Sequence, residues 1–389
     1  MKSRLNHDSS SSMSFQHWVT FIRTNFNPLA KIFISTLLIS HLCFLFSCKE
    51  DSPIATTRTY RMGFQNSVPR FDDFNLVLQT LAIWTTRADA AMITTEVPWD
   101  SLLAGKTPQQ YVKNNYVGLV EYYRTKKFKL WVYIDPQNGL NRTSDANALV
   151  AVGKSIAQPE MQKLYRRFVV VMDSMLRPDH LGLALETNLI RVAAPSSIYN
   201  GVKKAANDAV ADVRAIDPTV KLSVSVQADV AWGKLLGNGT YVGIQQDFVD
   251  FPFIEELGVS SYPYFDFSNP DEIPTNYYSR LVEGKSLKLM ITEGGWTSSS
   301  FDGPNQKVIA GSLEAQQKYI TRQGQLLDAA PSIAWFQLPF TDIDLTKIPA
   351  NVDPSISYFS YLGLVDINLQ PKPSLTTWDN IFQRKLVEK

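Results

Sequence analysis

From Arg61 onward the chain alternates between short apolar runs and longer amphipathic stretches. Eight runs stand out, at residues 61–65, 91–97, 129–135, 181–186, 221–227, 257–262, 288–293 and 333–337. Runs of this length, apolar and bounded by polar or aromatic residues, read as strands buried on both faces. The segments between them carry a helical period. In residues 197–216, Val202, Ala205, Ala209, Val210 and Val213 recur at the spacing of one helix face, and Asp217-Pro218 ends the segment. Residues 316–329 repeat the pattern, with Tyr319, Ile320 and Leu327 on the apolar side.

Eight strand–helix alternations across residues 59–389 predict an α/β fold, a (β/α)8 TIM barrel, which typically takes ~250 residues and more with insertions. A doubly wound open sheet is the competing architecture, and it usually advertises a glycine-rich phosphate turn. The nearest approach here is Ala104-Gly-Lys-Thr107, but Asp100 stands where such a loop needs its first glycine.

The segment before the barrel has a different character. Residues 32–46 are almost wholly apolar and follow Arg23 and Lys31. They fall short of the ~20 residues a spanning helix needs but fit a signal-peptide core. The run closes on Leu45-Phe46-Ser47-Cys48, which resembles the bacterial lipobox. That resemblance implies an acylated Cys48 as the first mature residue. Lys49-Glu50-Asp51 looks like the charged export tag of surface lipoproteins in Bacteroidetes-type bacteria. The expected organisation is therefore a signal peptide with a long leading region at 1–47 and a lipidated cysteine with a short tether at 48–58. A lipid anchor would hold the domain at a bacterial outer membrane or cell surface. An ordinary signal peptide or signal anchor is the other reading, and Met13 is a second candidate start.

Composition narrows the chemistry. The chain is 44% apolar and 19% charged with a net charge of +1, so a sizeable core is expected and no basic excess calls for nucleic acid. Beyond Cys48 the only histidine is His180, and no cysteine remains to pair with Cys48. His180 starts the fourth run, the end away from a barrel's active face. A Ser-His-Asp triad thus lacks a well-placed base, a histidine-rich metal site cannot be built, and no metal or other cofactor is expected.

Two carboxylates remain. Glu186 ends the run Leu181-Gly-Leu-Ala-Leu-Glu186-Thr-Asn188, and Glu293 ends Leu287-Lys-Leu-Met-Ile-Thr-Glu293-Gly-Gly-Trp296. Barrel enzymes keep their chemistry at the carboxyl ends of the strands. A facing carboxyl pair is the equipment for glycosidic cleavage, one group protonating the leaving oxygen while the other attacks or stabilises the anomeric carbon. Strand alternation predicts Ala184, Glu186 and Asn188 on one face, and Leu289, Ile291 and Glu293 on another.

On these residues the chain resembles the clan A glycoside hydrolases, retaining barrel enzymes with the acid/base on strand four and the nucleophile on strand seven. The resemblance implies those roles for Glu186 and Glu293 respectively. Ser260-Ser-Tyr262-Pro-Tyr264 is similar to the clan segment whose tyrosine bonds the nucleophile, and Trp335 stands where a sugar-stacking tryptophan is usual. The endo-β-1,4-galactanases come closest, through Glu186-Thr-Asn188 and the Ser-Tyr-Pro-Tyr run. One departure is plain. The clan places Asn immediately before its acid/base, and this chain has Leu185 there. Asn188 lies nearby, and Gln227, ending the fifth run, is a candidate substitute.

Further candidates for sugar contact are Trp296, Trp99 after the second run, and Asp135 with Gln137 after the third. Glu96 reads as a surface charge, and residues 269–274 as an excursion over the cleft. The expected activity is retaining hydrolysis of a β-linked oligo- or polysaccharide, with β-galactan the leading example. The rivals are a non-catalytic carbohydrate-binding lipoprotein on the same scaffold and a structural or adhesive one.

Overall fold

The computed structural model describes residues 55–70, 72–303, 307–349 and 352–388. The segment read as a signal peptide and Cys48 lie outside the described residues.

All eight runs form strands. They are β1 (Arg61–Gln65), β2 (Ala90–Glu96), β3 (Lys129–Asp135), β4 (His180–Gly182), β5 (Lys221–Gln227), β6 (Glu256–Ser261), β7 (Lys288–Gly294) and β8 (Ser332–Gln337). Each pairs in parallel with its sequence neighbours, and β8 pairs with β1, so the sheet closes into a barrel. Closure matters because a parallel sheet with free edges would leave backbone donors and acceptors unpaired. The open-sheet alternative is thereby excluded.

Inside the barrel sit Ala90, Met92, Trp131, Tyr133, Leu185, Met290, Ala334 and Phe336. The packing alternates large and small: Tyr133 fills the space that Gly182 leaves, where an added Cβ would lie 2.1 Å from its ring. The outward faces bury against helices that include α1 (Phe74–Trp84), α2 (Pro159–Leu176), α3 (Thr187–Ala193), α4 (Ser196–Ile216), α5 (Leu313–Asp328) and α6 (Pro373–Phe382). In α4 the buried side chains include Val202, Ala205, Ala209 and Val213, the face read from the sequence. In α5 Tyr319, Ile320 and Leu327 are likewise buried, and Ser312 caps the helix through the Ala315 amide.

Two boundaries differ from the sequence reading. β4 ends at Gly182, four residues before Glu186. Thr57–Arg58, placed in the tether, pairs with Lys385–Leu386, and buried Arg58 bonds Asp89. Thr57 and Arg58, the last two residues read as tether, thus belong to the fold.

At the amino end of β4, His180 stacks on Trp131 with ring centroids 4.0 Å apart and bonds Glu256. This is the barrel floor, opposite the cleft.

Candidate active site

The alternation rule does not deliver either glutamate to the cleft. Leu289 and Ile291 face the helices, and Met290 faces the barrel interior. Strict alternation would then send Glu293 outward. A bulge intervenes: β7 advances from Ile291 to Glu293 while β6 advances only from Val259 to Ser260. The extra residue re-aims the side chain, a common use of bulges beside active sites. Gly294 completes the device. Its φ is 151°, and a Cβ there would sit 2.3 Å from the Ser261 carbonyl oxygen, so only glycine fits.

Glu186 is reached differently. Ala184 belongs to the outer core and Leu185 to the barrel interior. Beyond β4 the chain turns through Glu186, whose φ of 49° is left-handed, and passes into α3. A non-glycine residue in that region is uncommon and carries strain. The Ser225 hydroxyl oxygen anchors the turn by accepting from the Glu186 amide at 2.9 Å.

The two carboxyls face one cleft. Glu293 is raised above the ordinary carboxylate range, first by burial and then by the negative charge of Glu186. The Tyr262 hydroxyl donates to Glu293 Oε2 at 3.0 Å. Burial, then the charges of Glu293 and Glu186, keep that phenol protonated and therefore a donor. Glu186 accepts from Ser260 Oγ at 2.6 Å through Oε1 and from Arg142 Nε at 2.9 Å through Oε2.

Sequence reading does not single out Arg142. It rides on a small hairpin after β3, where Gln137–Asn138 pairs with Asn141–Asp145. The guanidinium is buried and also pairs with Asp135. Burial outweighs this cation in raising the Asp135 carboxyl. A polar residue in a loop gives no periodic signal, so only the folded hairpin reveals where this arginine points.

The cleft occupies about 2200 Å³ at the carboxyl ends of the strands. Leu185, Glu186, Gln227, Tyr262, Glu293 and Asp135 all line it. Trp99 also borders it, but its ring is buried and Nε1 donates to the Pro136 carbonyl at 3.2 Å. Gln227 caps the following turn through the Val230 amide and donates to Asp229, which occupies the functions a sugar contact would use.

Four expectations are corrected by placement. Trp335 is 1% exposed and packs outside the barrel against Tyr60 and Trp378. Its neighbours Ala334 and Phe336 hold the inward positions of β8, so alternation turns Trp335 away from the sugar side. Trp296 is also 1% exposed and packs on Tyr264 and Tyr319. Asn188 is fully buried in α3, bonding the Gln227 backbone through both ends of its amide, and does not reach the cleft. Residues 269–274 pack sideways, with the Ile273 carbonyl accepting from Arg322 of α5. Aromatic residues that do line the cleft include Phe265, Tyr358 and Phe359. Phe359 meets Tyr262 edge-on at 5.0 Å.

Glu96, read as a surface charge, lies on the cleft wall and accepts from the Gly139 amide at 2.8 Å. Crowding by protein atoms pushes its carboxyl up to about 7. Its open face toward the cleft stays hydrated and weakens that push. Among the described residues no cluster of His, Cys, Asp and Glu is arranged to hold a metal ion, and no helix is long and apolar enough to cross a membrane.

No family profile and no curated protein sequence matches the chain. Solved structures do resemble it. An exo-β-1,4-mannosidase from Opitutaceae bacterium strain TAV5 superposes with a TM-score of 0.62 at 12% identity, over 84% of this chain and 59% of that one. The GH53 catalytic domain of Ignisphaera aggregans gives 0.54 at 14% identity, over 86% of this chain and 98% of that domain. A family 39 glycoside hydrolase from Bacteroides cellulosilyticus WH2 gives 0.53 at 16% identity, over 83% and 63%. This chain spans about three fifths of the mannosidase's length. At these identities the likeness establishes the barrel architecture, while chemistry depends on the side chains at the cleft.

Proposed function

We propose that this protein is a retaining glycoside hydrolase acting on a β-linked glycan. One observation carries the reading: carboxyls from the turn after β4 and from the end of β7 reach a shared cleft, and the charge of Glu186 acts on Glu293 there. A buried pair of this kind shares its protons unequally, which is the condition for one group to donate a proton while the other attacks. In this reading Glu186 delivers the proton and Glu293 attacks the anomeric carbon, with Tyr262 steadying the nucleophile. The breadth of the cleft suits an oligo- or polysaccharide, with β-galactan the first substrate to try, and an acylated Cys48 would hold the enzyme at a membrane.

A panel of β-linked glycans tests this directly. Release of reducing sugar by the native protein and its loss in Glu293→Gln and Glu186→Gln are the expected results. Equal release by all three would remove the pair from the mechanism. Cys48→Ala should move the protein from the membrane fraction to the soluble one.

A second reading has its own support. Leu185 brings an apolar side chain to the cleft beside Glu186, where the resembling enzymes use Asn to grip the sugar 2-hydroxyl. A carbohydrate-binding protein without turnover would bind the same glycans, release nothing, and bind them equally well as Glu293→Gln.

A further inference from the structure

Tyr262 is the first residue beyond β6. Past a strand end the ladder no longer fixes the backbone, and a buried amide there takes its partner from elsewhere in the fold. Asp229 is that partner. It lies just past β5, in the turn Ala228–Ala231, and its carboxylate accepts from the Tyr262 amide. Two more donors converge on the same carboxylate. Gln227, the last residue of β5, donates Nε2 to Asp229 Oδ2 at 2.8 Å, and the Tyr277 hydroxyl donates to Oδ1. Both donors are themselves fixed. Gln227 accepts from the Val230 amide at 2.7 Å and is bonded through its backbone to Asn188. Trp232 stacks on Tyr277 with ring centroids 5.2 Å apart and donates Nε1 to its carbonyl at 3.0 Å.

We propose that Asp229 is a positioning residue for the nucleophile: by holding the Tyr262 amide it sets the Tyr262 hydroxyl against Glu293. This rests on the proposed hydrolase reading, in which Tyr262 steadies Glu293. Asp229 is 1% exposed and does not line the cleft, so it acts through Tyr262 and not on the sugar. Burial pushes its carboxyl up to about 6, against the pull of the Tyr277 hydroxyl. At neutral pH it is therefore ionised and accepts at both oxygens. A buried carboxylate is a costly fastening, and this one fastens the backbone of the residue whose phenol bonds Glu293.

The consequence is a relay across three strand ends. The end of β5 fixes Asp229, Asp229 fixes the backbone after β6, and the phenol there meets the carboxyl in the β7 bulge. The Tyr262 hydroxyl lies at the far tip of a rigid side chain, so a small rotation of its backbone is magnified there. The bond to Glu293 spans 3.0 Å. A displacement of about half an ångström takes such a contact to the limit of hydrogen bonding.

A double-substitution cycle tests the assignment. Asp229→Ala removes the acceptor, and kcat on a β-linked glycan should fall about tenfold with KM little changed. In a Tyr262→Phe background there is no hydroxyl to place, and the same substitution should change kcat by less than about twofold. A merely structural Asp229 would lower kcat by one factor in both backgrounds, and that result overturns the proposal, as does native kcat in folded Asp229→Ala. If Asp229→Ala does not fold, Asp229→Asn is read in the same cycle, with a smaller fall expected, again only where the Tyr262 hydroxyl is present. A crystal structure of the folded variant reads the geometry without turnover. The Tyr262 hydroxyl should stand more than about 3.5 Å from Glu293, and an undisturbed contact overturns the proposal. A native protein that releases no sugar, with the hydroxyl displaced in the variant, would sink the hydrolase reading and leave the positioning of Tyr262 by Asp229 standing.

Discussion

Tyr262 donates its hydroxyl hydrogen to Glu293 Oε2 at 3.0 Å, the single hydrogen bond that Glu293's side chain receives among the described residues. The donor comes from the loop after β6 and the acceptor from the bulge in β7, so the contact locks two neighbouring strand ends together. Tyr262→Phe removes the donor while keeping the ring against Phe359. A hydrogen bond to a charged group contributes about 1.5–3 kcal/mol, so kcat on a β-glycan should fall roughly ten- to hundredfold. An unchanged kcat with intact folding would mean that Glu293 does not bear charge in the rate-limiting step.

Glu293 also shapes the pH dependence of stability. Its folded-state carboxyl is raised above the ordinary 4.5 by burial and by Glu186. The folded protein therefore binds this proton more tightly than the unfolded chain does. The associated stability is complete below the ordinary value and declines as pH climbs toward the raised one. Glu293→Gln abolishes that decline. Its Tm should match the native protein's in acid and exceed it increasingly from mildly acidic to mildly alkaline pH. Parallel Tm–pH curves would contradict this.

Trp335 and Phe359 should respond in opposite ways to truncation. Trp335 packs between β8 and α6, so Trp335→Ala should cost about 3–5 kcal/mol of stability. Urea unfolding is the measurement. Phe359 is half-buried on the cleft wall. Phe359→Ala should leave folding nearly intact and weaken oligosaccharide binding by about 1 kcal/mol, roughly fivefold, read by calorimetry. Loss of binding in a folded Trp335 variant alone would reverse the assignment.

Asp173, in α2, is buried with no hydrogen-bond partner for either carboxyl oxygen among the described residues. Burial, then the charge of Asp217, pushes it up to about 7. The sign is that of Glu293: stability is present below the ordinary 3.8 and is lost as pH rises toward about 7. Asp173→Asn should raise Tm at neutral pH, narrow the difference in acid, and leave the cleft untouched. A lower Tm at neutral pH would mean that the carboxylate is stabilising where it sits.

The barrel was legible because its signal is local and repeated. Eight apolar runs with amphipathic segments between them admit few closed arrangements, and each run recovered a strand. The positions of Glu186 and Glu293 at strands four and seven could be counted from the same pattern. What the pattern could not carry was direction. Period-two alternation holds only where a strand is regular, and both glutamates sit where it fails, Glu293 in a bulge and Glu186 in a left-handed turn beyond a shortened β4. Alternation did operate on β8, and there it turned Trp335 outward, against the expectation drawn from resemblance.

The order of apolar and polar residues determined the architecture and the addresses of the two acids, because burial of strand and helix faces depends on spacing along the chain. Only the tertiary structure decided what surrounds those acids. Arg142, Phe359 and the strand end that carries Ser260 and Tyr262 come from distant parts of the chain, and their convergence follows from barrel closure, which no short stretch of sequence contains.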